Sequence, residues 1–301
     1  MNYAPVVLFV YNRPEHTKKT IDSLKLNECA SKTNLIIYSD ASKSAADEEM
    51  VRKTRHFIDQ VTGFKSVTVR KRSENWGLAA SIIDGVTSVV EEYGRIIVLE
   101  DDIITSPYFL SFMNQALKFY ENKENVWHIS GWNYPIDPSG LGDVFFWRVM
   151  NCWGWATWLN RWKKFNKDPE KLIRDWSRTD KKHFDLDNSG IFWSQVKANA
   201  NGKINTWAIF WYATIFQHSG LCLHPAISYV NNIGRDGSGV HGGTDSSHSI
   251  QALNDTSKVK FPADIKESKA AVGRIKLFYK RCKDPFFYRV IKKFGRIFLA
   301  K

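Results

Sequence analysis

Arg95-Ile96-Ile97-Val98-Leu99-Glu100-Asp101-Asp102 joins an apolar run directly to three consecutive acids. Four apolar residues, three of them β-branched, form a run too short for a helix, which reads as a buried strand. Three acids then end it at once. Adjacent carboxylates at the end of a buried strand repel one another unless a positive charge compensates, and a divalent cation is the simplest compensation. Acids also cap the helices that follow strands, as one could near Ser106-Pro107, but a cap needs one acid and not three.

Working outward, Val6 to Tyr11, Leu35 to Ser39 and Val67 to Arg70 read as further strands. Between the last of these and Arg95, the residues Leu78, Ile82, Ile83, Val86, Val89, Val90 and Tyr93 recur at spacings of three and four, so Trp76 to Tyr93 is expected to be an amphipathic helix. Asn12 is expected to cap another helix, with Pro14 in its first turn and Ile21 and Leu24 on one face. Strands alternating with helices predict an α/β fold with a parallel or mostly parallel sheet. Each strand ends in a polar cluster: Asn12-Arg13, Ser39-Asp40, Arg72 to Asn75, and the acid triplet. In an open α/β sheet such carboxyl ends converge on one ligand crevice.

After a strand at Val126 to Ser130 the composition changes. Trp132, Trp147, Trp153, Trp155, Trp158 and Trp162 crowd together. Indole stacks on the apolar faces of sugars and donates one hydrogen bond, so the run suits an acceptor-binding lobe; the alternative is that most of these Trp are core. Gly234 to Ser249 is a Gly/Ser/His-rich loop.

The 301 residues, 43% hydrophobic and 14% aromatic, are enough for a substantial core. No apolar run is long enough to span a bilayer, and Val6 to Val10 follows the N-terminus without a basic n-region, so neither a spanning segment nor a standard export signal is expected. Cys29, Cys152, Cys222 and Cys282 are scattered without C-x-x-C spacing, which argues against a zinc site or a disulfide framework and for a reducing cytoplasm. The net charge of +12 is concentrated at the C-terminus, where Lys269 to Lys301 holds eleven basic residues against one acid, Asp284. There Phe287, Val290, Ile291, Phe294, Ile297 and Phe298 recur at helical spacing among Arg289, Lys292, Lys293 and Arg296. This is a basic amphipathic helix suited to an anionic membrane surface, and without a base-reading motif no nucleic-acid partner is expected.

Ile97 to Asp102 resembles the E-D-D form of the D-x-D motif in GT-A fold glycosyltransferases, in particular the N-acetylglucosaminyltransferases of N-glycan branching and bacterial surface-polysaccharide transferases. The resemblance continues in order. Trp127-His128-Ile129-Ser130-Gly131-Trp132-Asn133 resembles W-x-x-S-A-W-N, and Cys152-Trp153-Gly154-Trp155 resembles G-L-G-W. His224-Pro225-Ala226-Ile227-Ser228 is similar to R-P-E-I-S, and Gly234 to Gly242 to the loop G-R-K-G-x-S-H-G. The resemblance implies that Asp102 ligates Mn²⁺ or Mg²⁺, with His241 completing the metal or diphosphate site. It implies that Glu100 and Asp101 contact the donor's sugar and ribose, Arg13 the nucleotide, and Asp40 the uracil ring. An Arg fork suits phosphate and a carboxylate suits a ring N–H.

One departure matters. The inverting relatives carry W-D-D-W with a general base, whereas this chain reads Trp207-Ala208-Ile209-Phe210-Trp211. Either another carboxylate serves, Asp236 being nearest by motif, or configuration is retained and the leaving diphosphate accepts the proton.

The expectation is therefore a GT-A-like α/β fold. A Rossmann-like nucleotide-sugar lobe covers residues 1–130, an acceptor-binding and catalytic lobe 131–262, and a basic helical tail 263–301. The expected activity moves a hexose or N-acetylhexosamine from a nucleotide diphosphate sugar, a UDP-sugar, to a growing bacterial glycan such as O-antigen or capsule, including a lipid-linked one. The expected location is peripheral, on the inner face of the cytoplasmic membrane. A sugar-nucleotide nucleotidyltransferase would show a Gly-rich phosphate loop where this chain has Tyr11-Asn12-Arg13-Pro14-Glu15. A non-catalytic carbohydrate-binding protein would have no use for the three acids.

Overall fold

A computed structural model describes residues 3–234 and 252–283. The first half is the expected alternation. Strand β1 (Val6–Val10) leads to α1 (Pro14–Lys25), β2 (Asn34–Ser39), α2 (Ala45–Ile58), β3 (Ser66–Lys71), α3 (Gly77–Tyr93) and β4 (Arg95–Glu100). The apolar stripe read in the sequence buries Ile82, Val86, Val89 and Val90 of α3, which lies against β1 and β4. Gly85 lets the helix approach closely, since a Cβ there would come within 2.8 Å of the Phe9 ring.

Asn12 does not cap α1. Arg13 occupies that position, its carbonyl accepting from the Thr17 amide at 2.9 Å, while the Asn12 side chain donates to Asp47. Pro14 explains the difference: its fixed φ starts the helix by itself and leaves Asn12 free to tie the β1 end to α2.

Beyond β4 the elements shorten. They are β5 (Ile103–Thr105), α4 (Phe109–Phe119), β6 (Val126–Ser130), β7 (Val144–Trp147), β8 (Trp155–Trp158), α5 (Leu159–Trp162), α6 (Pro169–Asp175), α7 (Arg178–Phe184), α8 (Trp193–Ala200), α9 (Ala208–Gln217), β9 (Leu221–Pro225), β10 (Val230–Asn232) and α10 (Lys269–Lys283). One sheet of eight strands, in the order β3-β2-β1-β4-β8-β6-β9-β7, carries elements from both sides of residue 130. Strands β1 to β4 are mutually parallel, and β8 enters antiparallel between β4 and β6. This mixed sheet meets the expectation of a GT-A-like α/β fold. Strands β5 and β10 form a separate antiparallel ribbon.

The tryptophan run is core. Trp132, Trp147, Trp155, Trp158 and Trp162 are buried, and the half-buried Trp153 packs edge-on to Trp132 at 4.7 Å between centroids. Helix α10 also belongs to the body. Ala271 and Ile275 are fully buried, Tyr279 hydrogen-bonds Tyr134, and Arg274 donates to the carbonyls of Asp137 and Ser139 at 2.7 and 2.8 Å. The amphipathic stretch Phe287 to Phe298 lies outside the described residues. No helix among the described residues is long and apolar enough to cross a membrane, and none of the four cysteines is disulfide-bonded.

Candidate donor site

Because β1 to β4 run parallel, their carboxyl ends share one edge, and register places Phe9 beside Glu100 and Val10 beside Ser39. The chain turns sharply at both places, so Arg13 and the acid triplet meet. Arg13 Nη1 lies 2.9 Å from Asp102 Oδ2 and 3.7 Å from Asp101 Oδ1. The Tyr11 amide also hydrogen-bonds the Asp101 carboxylate. From α1, the Thr20 hydroxyl donates to the Asp101 carbonyl at 2.8 Å and fixes the turn.

The electrostatics are strained in one direction. Burial pushes the Glu100 carboxyl up to about 8, with Asp102 and Asp101 adding to the effect and Arg13 opposing it. Burial likewise raises Asp101 to about 7, reinforced by Asp102 and opposed by Arg13. Three carboxyls against one guanidinium leave an excess that a divalent cation would neutralise, and carboxylate oxygens suit Mg²⁺ or Mn²⁺. The donor chemistry thus fits the expected ion. Among the described residues, however, no three His, Cys, Asp or Glu side chains are arranged to hold a metal. Asp236 and His241 lie outside the described residues, while Gly234 lies beside Asp102.

Asp40 follows β2 and is buried. Its Oδ1 accepts from the amides of Trp76 at 2.9 Å and Ala41 at 3.1 Å, and its Oδ2 from Gly77 at 2.8 Å. It therefore caps α3. Three accepted bonds leave one lone-pair position of the carboxylate for another donor. Arg55 of α2 locks the same edge, donating to the carbonyls of Asp40 at 3.2 Å and Arg72 at 2.7 Å. Alongside, a cavity of about 320 Å³ opens among Tyr38, Arg70, Arg72, Trp76, Asp84 and Ser88, with Arg72 stacked 3.6 Å over the Trp76 ring.

The sequence blocks downstream of the acids hold one another together. The Gly131 amide donates to the Gly154 carbonyl at 2.6 Å, Tyr229 to Gly131 at 2.7 Å, and Asn133 N to Ser228 Oγ at 2.9 Å. Buried His224 places Nδ1 3.0 Å from the Trp132 carbonyl. These blocks are the scaffold behind the acids. The stretch Trp207 to Trp211 is also interior, with Phe210 and Trp211 fully buried.

Residues 6–169 match the family model of glycosyl transferase family 2. The chain belongs to this family. An Arabidopsis thaliana alpha-1,3-mannosyl-glycoprotein 2-beta-N-acetylglucosaminyltransferase is 23% identical over 203 residues, which is 61% of this chain and 44% of that protein. The chain thus spans less than half the length of this curated relative. Among solved structures, S. aureus TarS aligns at a TM-score of 0.28 and 13% identity, over 42% of this chain and 21% of that one. Membership of family 2 meets the expectation of a glycosyltransferase and sets aside the nucleotidyltransferase and the non-catalytic carbohydrate-binding protein.

Proposed function

We propose that this family 2 chain transfers a hexose or N-acetylhexosamine from a UDP-sugar to a growing bacterial glycan, with Mn²⁺ or Mg²⁺ bound at Asp102. The observation that carries the reading is the convergence of Arg13 with Asp101 and Asp102 at the carboxyl ends of β1 and β4. A bound divalent cation would supply Lewis-acid stabilisation of the leaving diphosphate. Arg13, set beside the acids at the head of α1, orients the anionic part of the donor. Asp40 offers its remaining acceptor position to a ring N–H, held in place by the three amides it already serves. Glu100 and Asp101 present carboxyl groups to hydroxyls of the sugar and ribose.

The buried start of α9 provides no general base, which favours either Asp236 or a retaining reaction in which the diphosphate takes the acceptor proton. For the acceptor we propose a lipid-linked glycan at an anionic membrane, with Phe287 to Phe298 as the attachment. Screening nucleotide sugars for metal-dependent hydrolysis tests the reading. Turnover of a UDP-hexose or UDP-N-acetylhexosamine that stops with chelator supports it, and metal-independent turnover, or none with any nucleotide sugar, rejects it.

A further inference from the structure

We infer that Asn232 and Gly234 are positioning residues that fix the rotation of the Asp102 carboxylate, an inference that rests on Asp102 being the donor-site acid. Strand β10 pairs with β5, setting Asn232 opposite Ile103, and the Ile233 amide donates to the Asp102 carbonyl at 2.8 Å. The ribbon thereby ties the last acid into a ladder on its backbone side. The side chain is then held at both oxygens. The buried Asn232 amide nitrogen donates to Asp102 Oδ1 at 3.4 Å, a long bond, while its own oxygen accepts from the Gly234 amide at 2.8 Å. Arg13 holds Oδ2 from the other direction at 2.9 Å.

Gly234 closes the remaining space. A Cβ there would lie 2.0 Å from Asp102 Oδ2, 2.8 Å from its Cγ and 2.9 Å from its Cβ, so any other residue must displace the carboxylate or the backbone. Rotation about the last carboxylate torsion is otherwise soft. Pinning one oxygen with an amide and boxing the other between a guanidinium and a bare backbone presets its direction. The two faces of the Asn232 amide are both needed, since an aspartate there would repel Asp102 and an apolar residue would lose both bonds.

Two measurements on the full chain test this. The first is thermal unfolding in chelator of Gly234→Ala, Asp102→Gly and the double variant. Asp102→Gly removes all three contacted side-chain atoms, so Gly234→Ala should lower the midpoint in the wild-type background and have little effect in the Asp102→Gly background. An equal loss in both backgrounds, or none in wild type, overturns the inference. The second is UDP binding with and without Mn²⁺. Gly234→Ala and Asn232→Leu should weaken Mn²⁺-supported binding at least about tenfold, leaving binding in chelator unchanged. Unchanged Mn²⁺-supported affinity in both variants also overturns it. Should the wild-type chain show no Mn²⁺ dependence, the donor-site reading falls, and the unfolding cycle still decides whether Gly234 and Asn232 set Asp102.

Discussion

Replacing Asp40 by alanine removes both its cap on α3 and its proposed ligand contact, and stability and UDP affinity read the two losses separately. The carboxylate serves three amides, those of Ala41, Trp76 and Gly77, and two of them open α3. Bonds to a charged acceptor are worth roughly 1.5–3 kcal/mol each, and loss of an N-cap costs about 1 kcal/mol. Trp76 is 43% exposed, so water reaches part of this site and the full sum is not realised. A loss of about 2–4 kcal/mol follows, or roughly 3–6 °C in unfolding midpoint for a chain of this size. Asp40→Asn keeps one acceptor oxygen and should lose about half as much. The assay is thermal unfolding followed by circular dichroism, with UDP affinity measured in parallel. An Asp40→Ala midpoint within about 1 °C of wild type would refute the capping argument.

Further expectations concern the acids, the core and the tail. Glu100 and Asp101 have folded values of about 8 and about 7, above their ordinary 4.5 and 3.8, so the fold favours their protonated forms. Without metal their contribution is therefore intact below about pH 4 and is lost as pH climbs toward 8. Glu100→Gln should flatten the fall in chelator between pH 5 and pH 8 by up to a few kcal/mol, and a slope identical to wild type would contradict the burial argument. Arg13→Ala should weaken UDP binding about tenfold or more, with Arg13→Lys restoring only part because an ammonium lacks the fork; full activity in the lysine variant would count against the contact. Gly85→Ala should destabilise the chain, because its Cβ would meet Phe9 at 2.8 Å, and an unchanged denaturant midpoint would show that the ring yields freely. A chain ending at Lys283 keeps α10 on the body, so it should stay folded but fail to sediment with anionic vesicles at low salt. Equal sedimentation with the full chain would remove the tail as the anchor.

The parts of the fold legible in the sequence are those whose pattern is local. Val6–Val10 and Arg95–Glu100 announce themselves as apolar runs with abrupt polar ends, and α3 by its spacing of three and four. Strands β5, β8 and β10 are three or four residues long, and β8 owes its place between β4 and β6 to pairings no local window contains. The site divides in the same way. Arg13 and the triplet stand at strand ends and could be named from their positions. Thr20 and Asn232 meet Asp101 and Asp102 across 81 and 130 residues, so their roles emerge only once the sheet and the ribbon are closed. The tryptophans were ambiguous for a physical reason: an indole suits both a sugar face and a protein interior, and the core reading holds for Trp147 and Trp155, which the sheet buries.

Asp102 is proposed as the acid through which a divalent cation and the donor's diphosphate are bound. Titration calorimetry of UDP into wild type and Asp102→Asn, with Mn²⁺ and then with chelator, is the measurement that decides this role. Binding should depend on Mn²⁺ in wild type and be lost in the variant, whose circular dichroism stays that of a folded α/β chain. Equal metal and nucleotide affinity in the two proteins would contradict it.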